Sequence, residues 1–245
     1  MSLQHGNTAV SQRSILLIPW DPDSTAHVER MRQQRIACGW KVEKIADWQK
    51  FQRAGKLIFY WIVLAASYPN RDALIGGHLE RYPDEVEQLQ DTCRSVLGNE
   101  RTPDSSKFHP VGHICLDGCV ENHENNRLMI SPANGIYTIA AFYVSTALQG
   151  TGIGGLTVST LERIAAEQYG AKVFTLDTLS NEDTDPNSPR MIALGRERPK
   201  VPVLDWYARR GYVIYETVKD GVENTDSTGK KWYSTLLYMK KDISK

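Results

Sequence analysis

Short apolar runs alternate along the chain with longer stretches in which apolar residues recur every three or four positions. The apolar runs are rich in β-branched and aromatic residues and predict strands at residues 14–19, 56–65, 111–117, 136–144, 173–178, 212–218 and 232–239. The helical spacing predicts helices at residues 25–38, 42–54, 84–97, 152–169 and 203–210. This order indicates an α/β (α+β) fold with a mixed, mostly antiparallel sheet of six to seven strands and one central βαβ unit flanked by helices.

Three longer stretches, at residues 67–110, 118–134 and 181–202, fit this alternation poorly and are expected to be insertions. The chain has no internal repeat and no low-complexity tract. Its 245 residues, 41% of them hydrophobic, are enough to close one core. We therefore predict a single domain over residues 1–245 that carries these insertions.

Charge and hydropathy exclude several classes of partner. Lys plus Arg and Asp plus Glu number 29 each, so no overall field holds a nucleic acid or an anionic membrane. The longest apolar run, residues 57–66, is about half the length of a membrane span. Residues 1–13 are polar and lack the features of a secretory signal, so a cytoplasmic location is expected. The four cysteines are too sparse for a disulfide framework and are expected to be reduced.

The segment most suggestive of ligand binding is the glycine turn, residues 149–155 (QGTGIGG), between a predicted strand and a predicted helix. Glycines let backbone N–H groups approach a ligand without interference from Cβ atoms. Such amides, together with the positive end of a helix dipole, suit a phosphate or a pyrophosphate. We therefore expect an anionic cofactor at this turn.

The turn has two other interpretations. Residues 150–155 match the dinucleotide fingerprint G-x-G-x-x-G, and Asp177 ends the next strand where such a fold places its ribose-binding acid. However, residues 145–149 separate the strand from the first glycine, and the unit begins too late for the parallel strands that a nicotinamide cofactor needs. A turn without a ligand would not need four glycines in six residues, which cost conformational entropy.

Two motifs resemble those of the GNAT superfamily of N-acetyltransferases. Residues 149–154 have the pattern Gln-x-x-Gly-x-Gly, similar to the family's [Gln/Arg]-x-x-Gly-x-[Gly/Ala]. Residues 207–212 have the pattern Tyr-x-x-x-Gly-Tyr, similar to Tyr-x-x-x-Gly-[Phe/Tyr], with a predicted strand between the two motifs. The resemblance extends from residue 14 to the end, and the general pattern is similar to fungal members of unassigned substrate. It implies an enzyme that moves an acetyl group from acetyl-CoA, as cosubstrate, to a primary amine.

The resemblance also implies where the cofactor binds. In this family the pantetheine arm lies between two splayed middle strands, which here would be residues 136–144 and 173–178. An amide aimed at the thioester oxygen would stabilise the tetrahedral intermediate. Asn187 competes with Asn181 for one contact just past the second strand. The implied cofactor-binding residues are Phe142, Val144, Gln149, Gly150, Thr151, Gly152, Ile153, Gly154, Gly155 and Asn181.

The implied catalytic residues are Tyr207 and His113. Tyr207 matches the position whose hydroxyl protonates the departing thiolate, and the alternative is a packed aromatic. Many relatives carry a glutamate base at the position of Thr138, and threonine cannot take a proton at neutral pH. His113 is the best substitute, on the strand expected beside the cofactor strand. Asp117 and Asp177 are weaker options, since acids at strand ends usually cap turns or pair with basic side chains.

Potential metal ligands occur at His113, Cys115, Cys119 and His123. Their spacing lacks the paired C-x-x-C of a zinc site, so no metal is expected. The resemblance places five aromatic residues on the acceptor side, most of them expected in the core: Trp40, Trp48, Tyr60, Trp61 and Tyr68.

The expected reaction is direct transfer in a ternary complex, because no cysteine lies beside the glycine turn and Cys115 is the nearest strand candidate. The alternatives are a non-catalytic acyl-CoA-binding module, suggested by the missing glutamate, and an NAD(P)-dependent oxidoreductase. Neutral charge gives no reason to expect histone tails, so a small-molecule amine is favoured over a protein acceptor. The pattern also allows a homodimer.

Overall fold

The computed structural model describes residues 14–123, 127–195 and 201–244. The predicted polar amino terminus and parts of two predicted insertions, residues 124–126 and 196–200, lie outside these ranges. The strands are β1 (Ile15–Pro19), β2 (Leu57–Leu64), β3 (Leu89–Gln90), β4 (Ser95–Val96), β5 (Asn99–Glu100), β6 (Lys107–Phe108), β7 (Gly112–Asp117), β8 (Ile136–Val144), β9 (Val173–Leu179), β10 (Val213–Thr225) and β11 (Lys231–Asp242). The α-helices are α1 (Thr25–Cys38), α2 (Ile45–Arg53), α3 (Arg71–Arg81), α4 (Ile153–Tyr169), α5 (Pro189–Leu194) and α6 (Val203–Ala208).

Seven strands form one sheet in the order β1-β2-β7-β8-β9-β11-β10. The pair β8–β9, connected through α4, is parallel, and the other neighbouring pairs of this sheet are antiparallel. The predicted fold class, a mostly antiparallel sheet around one βαβ unit, is therefore confirmed. The dinucleotide-binding alternative is wrong at the level of fold, because it needs a sheet of several parallel strands.

Helices cover both faces of the sheet. All eight residues of β2 are buried, with Ile58 and Tyr60 in the cluster under α4, and Phe59 and Trp61 in the cluster under α1 and α2. This alternation is the period of two that a strand imposes on its side chains. The predicted core aromatics Trp48, Tyr60, Trp61 and Tyr68 are all at most 5% exposed. No helix within the described ranges is long and apolar enough to cross a bilayer.

The helix predicted at residues 84–97 is wrong. Its apolar spacing is helical, but the chain forms one 3₁₀ turn at Pro83–Glu85 and then the short strands β3 and β4. Leu97 and Gly98 both have positive φ, which suits the two-residue turn of the β4–β5 hairpin. Tertiary contacts therefore outweigh the local helical pattern here.

Two helices were not predicted. α3 lies within the first predicted insertion and contains Gly76 and Gly77, which lower its intrinsic helix propensity. α5 lies within the third and begins at Pro189 after the N-cap Ser188, whose hydroxyl accepts a hydrogen bond from the amide of Met191.

A buried polar cluster fills the space between α1, α3 and β7. Arg30 and Glu85 form an ion pair at 3.6 Å, and the Gln34 amide donates to Glu85 at 2.9 Å. The Nδ1–H of His113 donates to the Gln34 side-chain oxygen at 2.9 Å, and Arg35 lies 3.3 Å from the other ring nitrogen. Both nitrogens of His113 are therefore used inside the core. Burial, with the charge of Arg35, lowers the pKa of His113 well below 6.5.

The first prediction concerns Gly112 on β7, which lies opposite Val144. A Cβ there would sit 2.2 Å from the carbonyl oxygen of Tyr143, a backbone atom that cannot move without breaking the β7–β8 pairing. We expect Gly112→Ala to lower the free energy of unfolding by about 1–3 kcal/mol in urea denaturation. Gly76→Ala in α3, with nothing within 4 Å, is the matched control and should raise it by up to about 1 kcal/mol. Equal stabilities for the two variants would contradict this.

The second prediction concerns acid stability. His113 is neutral in the folded state, whereas an unfolded histidine takes up a proton below about pH 6.5. As pH falls from about 6.5 towards the lower folded pKa, His113 therefore costs up to about 1.4 kcal/mol of stability per pH unit. We expect urea denaturation between about pH 7 and pH 5 to give a shallower slope for His113→Asn than for the unaltered protein. His27, whose pKa burial also lowers, remains in both proteins. Identical slopes would show that His113 does not carry this effect.

Candidate active site

Strands β8 and β9 separate after three residue pairs. The parallel pairing joins residues 136–138 to residues 173–175 and stops at Thr138. On its other edge β8 stays paired with β7 as far as Val144, through a register shift at which Ala141 has φ +43°. Such a bulge bends one strand while keeping its ladder. Residues 139–144 and 176–179 thus face each other without pairing, and the predicted splay is confirmed. We call this gap the β8–β9 opening.

The glycine turn leads from the end of β8 into α4. Gly150 and Gly152 have φ of +88° and +93°, a conformation that residues with a Cβ rarely adopt. Gly152 is the N-cap of α4 and provides no side-chain cap, and the first amide bonded back into the turn is that of Leu156. Within the described residues, the amides of positions 153–155 therefore have no acceptor. They form the start of a 17-residue helix and suit an anion.

The other two glycines allow close packing of α6. A Cβ on Gly154 would lie 3.3 Å from the Trp206 ring, and one on Gly155 would lie 2.6 Å from a guanidinium nitrogen of Arg210. The Arg210 guanidinium sits 3.5 Å above the Trp206 ring centre, and Trp206 also packs against Phe142. A positive charge is thus held beside the first turn of α4, and in the described part of the chain it has no carboxylate within ion-pair distance.

Neither Arg210 nor Trp206 was identified from the sequence. Arg210 occupies a variable position of the Tyr-x-x-x-Gly motif, and its place beside Gly155 depends on how α6 packs on α4. For residues 67–110 the sequence likewise predicts only an insertion. Its helix α3 and the following turn hold the loop before the glycine turn: His78 is hydrogen-bonded to Ser145 at 2.9 Å and Tyr82 to Thr146 at 2.6 Å.

Tyr207 lies on α6 beside the opening. It is 6% exposed, its ring contacts those of Trp206 and Tyr212, and its hydroxyl makes no hydrogen bond to any described residue. Burial raises the pKa of Tyr207, and the negative charge of nearby Asp177 raises it further. The phenol therefore stays protonated at neutral pH.

Thr138, at the position where relatives carry the glutamate, and the three candidate bases occupy different environments. Thr138 is fully buried and its hydroxyl donates to the Thr175 carbonyl at 2.9 Å. His113 is enclosed in the buried polar cluster and has no free ring nitrogen. Asp117 accepts hydrogen bonds from the amide of Cys119 and the side chain of Asn122, as expected of an acid that caps a turn. Asp177, by contrast, is exposed on β9 at the opening.

The remaining predicted residues are spread around the turn. Gln149 donates from its side chain to the Val144 carbonyl at 3.3 Å, which closes the turn onto the end of β8. Asn181 donates to Asp205 of α6 at 2.9 Å, whereas Asn187 is exposed.

The spacing considered for zinc is not a ligand set in the structure. Among the described residues no group of His, Cys, Asp and Glu is arranged to hold a metal. His113 belongs to the buried cluster, whereas His123 lies 3.1 Å from Asp117. Burial raises the pKa of the Cys115 thiol, which is fully enclosed.

A cavity of about 240 Å³ lies at the paired end of β8 and β9, away from the opening. Its walls include Ile136, Val173, Thr175, Val213 and Lys240.

No protein-family model and no curated protein sequence matches the chain. Its structure is similar to that of Arabidopsis thaliana NAA60 in complex with a bisubstrate analogue (TM-score 0.52, 10% identity, 94% of this chain and 100% of that chain). It is also similar to the aminoglycoside 6'-N-acetyltransferase from Enterococcus faecium (TM-score 0.50, 13% identity, 94% of this chain and 98% of that chain). A third similar structure is a spermidine N-acetyltransferase chimera of Vibrio cholerae SpeG and hSSAT (TM-score 0.51, 8% identity, 94% of this chain and 96% of that chain). The chain therefore has the fold of the GNAT N-acetyltransferases.

Proposed function

We propose that this protein is an acetyl-CoA-dependent N-acetyltransferase that moves an acetyl group directly to a primary amine in a ternary complex. The observation that carries the proposal is the position of the β8–β9 opening, which leads to the uncapped start of α4. An unpaired strand edge and an anion-binding helix terminus, side by side, suit a ligand with an extended amide-containing arm and a pyrophosphate.

The residues around the opening fit this cosubstrate. Main-chain groups of Phe142 and Val144 would pair with the pantetheine arm as a further strand does. Amides of the glycine turn, from Gly150 to Gly155, would hold the pyrophosphate, and Arg210 would add a charged donor. Asn181 would contact the cosubstrate from the end of β9. Bound acetyl-CoA supplies the acetyl group as a thioester.

Tyr207 is the proposed general acid. As the amine nitrogen bonds to the thioester carbon and the carbon–sulfur bond breaks, the Tyr207 hydroxyl would give its proton to the sulfur. The raised pKa keeps this proton in place until the thiolate forms. Cys115, the nearest strand cysteine, is sealed in the core and cannot carry an acyl group. That burial supports direct transfer without an acyl-enzyme.

We infer that the acceptor is a small-molecule amine. Structurally similar proteins include aminoglycoside and spermidine acetyltransferases, and also acetyltransferases of protein amino groups. The net charge of zero provides no overall field to attract a charged polypeptide. The alternative of a non-catalytic acyl-CoA-binding module is favoured by one observation, the buried Thr138 at the usual base position. Release of free CoA in the presence of an amine separates the two.

The third prediction tests cosubstrate binding by calorimetry with CoA. Gly152→Ala forces a side chain into φ +93° at the N-terminus of α4, and Gly170→Ala forces one into φ +65° at the C-terminus of the same helix. Both should cost about 1–2 kcal/mol of stability. We expect Gly152→Ala alone to weaken CoA binding, by at least about tenfold, because only that end carries the open amides. No CoA binding by the unaltered protein, or equal effects of the two variants, would contradict the proposed site.

The fourth prediction concerns the acid. Tyr207→Phe keeps the ring that packs against Trp206 and Tyr212 but removes the proton. We expect kcat for acetyl transfer to fall by about 100-fold or more, with the Kd for acetyl-CoA unchanged. The measurement is free-thiol release from acetyl-CoA with an amine panel, next to calorimetry on the same preparations. Unchanged kcat in the Phe variant would show that Tyr207 is only a packed aromatic.

A further inference from the structure

A carboxylate lies at the edge of the opening, on the strand opposite to the usual one. The last parallel pair is Thr138 with Thr175, and parallel strands advance together, so the next positions on the same face are Ala140 and Asp177. Ala140 has only a methyl group as its side chain. Thr175 is fully buried, whereas Asp177, two residues further along β9, is exposed.

The side chains around Asp177 leave its charge unbalanced. Its partner on the adjacent strand β11 is Tyr238, whose ring centre lies 6.3 Å from that of Tyr215. Burial raises the pKa values of Tyr207, Tyr215 and Tyr238, and the negative charge of Asp177 raises all three further. Asp177 itself has no hydrogen bond or ion pair with any described residue.

The other charged groups near the opening have contacts of their own. Arg127 pairs with Glu216 at 2.7 Å, with Glu216 on β10 beside Tyr215. The Lys240 ammonium lies 5.6 Å from the centre of the Tyr215 ring. Arg210 stacks on Trp206 on the α4 side of the sheet. An incoming cation would therefore meet Asp177 as the unpaired carboxylate at the opening.

We propose that Asp177 binds the acceptor as a primary ammonium ion and takes its proton before acetyl transfer, so that the acceptors are cationic amines. This inference rests on the proposed function. The ammonium gives one proton to the Asp177 carboxylate, and the freed lone pair attacks the thioester carbon. The carbon–sulfur bond breaks, and Tyr207 protonates the sulfur. The second amine proton returns to Tyr207 through water, and exposed Asp177 releases the first to solvent.

The surroundings also define the acceptor class. A carboxylate next to aromatic rings binds an ammonium both by charge and through the ring faces. Tyr238, the partner of Asp177 in the β9–β11 ladder, provides such a ring, whereas the ring of Tyr215 already lies 5.6 Å from the Lys240 ammonium. We therefore expect small amines with an alkyl or aryl body to be preferred over amines that are neutral at pH 7.

The fifth prediction tests this with free-thiol release from acetyl-CoA. The probes are phenethylamine, n-butylamine and spermidine as cationic amines, and aniline as an amine that is uncharged at neutral pH. Asp177→Asn keeps the size of the side chain but can neither pair with an ammonium nor accept its proton. For the best cationic probe, kcat/KM should fall about 100-fold at neutral pH, with the Kd for acetyl-CoA unchanged. The deficit should shrink as pH approaches the amine's own pKa, and the rate with aniline should change little.

Two variants complete the test. Asp220→Asn, an exposed acid on β10 at φ +54°, is the matched control and should behave like the unaltered protein. Asp177→Glu should recover part of the activity and of the original pH profile. Unchanged kcat/KM in Asp177→Asn across the pH range overturns the base assignment. If the unaltered protein binds CoA but releases no thiol with any probe, catalysis and this role fall together, whereas absence of CoA binding rejects the proposed function itself.

Discussion

Beyond Thr138 the main chain of β8 is paired with β7 but no longer with β9, and the candidate active site is built around this unpaired edge. A buried backbone group without a partner costs about 1–3 kcal/mol, so an opening inside a sheet persists only where something else fixes the strand. Here the β7 ladder and the bulge at Ala141 hold β8 in place while it turns away from β9. In the proposed function, an extended ligand that brings its own amide groups would restore the missing ladder.

The supports around the opening act on its two ends. At the paired end of the β8–β9 opening, two threonines connect the strands. The Thr138 hydroxyl donates to the Thr175 carbonyl, and the Thr175 hydroxyl donates to the Tyr137 carbonyl. At the other end, α3 holds the loop before the glycine turn through His78, and α6 presses Trp206 onto the first turn of α4. The opening and the glycine turn are thereby held in place by packed elements of secondary structure.

Strands and fold class could be predicted from the sequence because a buried strand such as β2 carries an unbroken run of β-branched and aromatic residues. The local pattern failed where contacts outside the segment decide: residues 84–97 have helical spacing, yet Glu85 pairs with Arg30 of α1, and Asp91 pairs with Arg101 beyond the segment. The same limit applies to the site. The glycine turn could be recognised, whereas the enclosure of His113 could not, because burial by α1 leaves no mark on β7's own sequence.

The burial of the last β8–β9 residue pair explains why a carboxylate at position 138 would destabilise this chain. Thr138 is fully buried, and its hydroxyl donates to the carbonyl of Thr175, its partner in the last pair before the strands separate. An ionised side chain there would lose its hydration without a cation to replace it, since Arg35 already faces His113 and Lys240 faces Tyr215. Two residues further along β9, at Asp177, the strands have separated and the side chain is exposed. A carboxylate that would be costly at position 138 is therefore tolerated at Asp177, where its charge still raises the pKa of Tyr207.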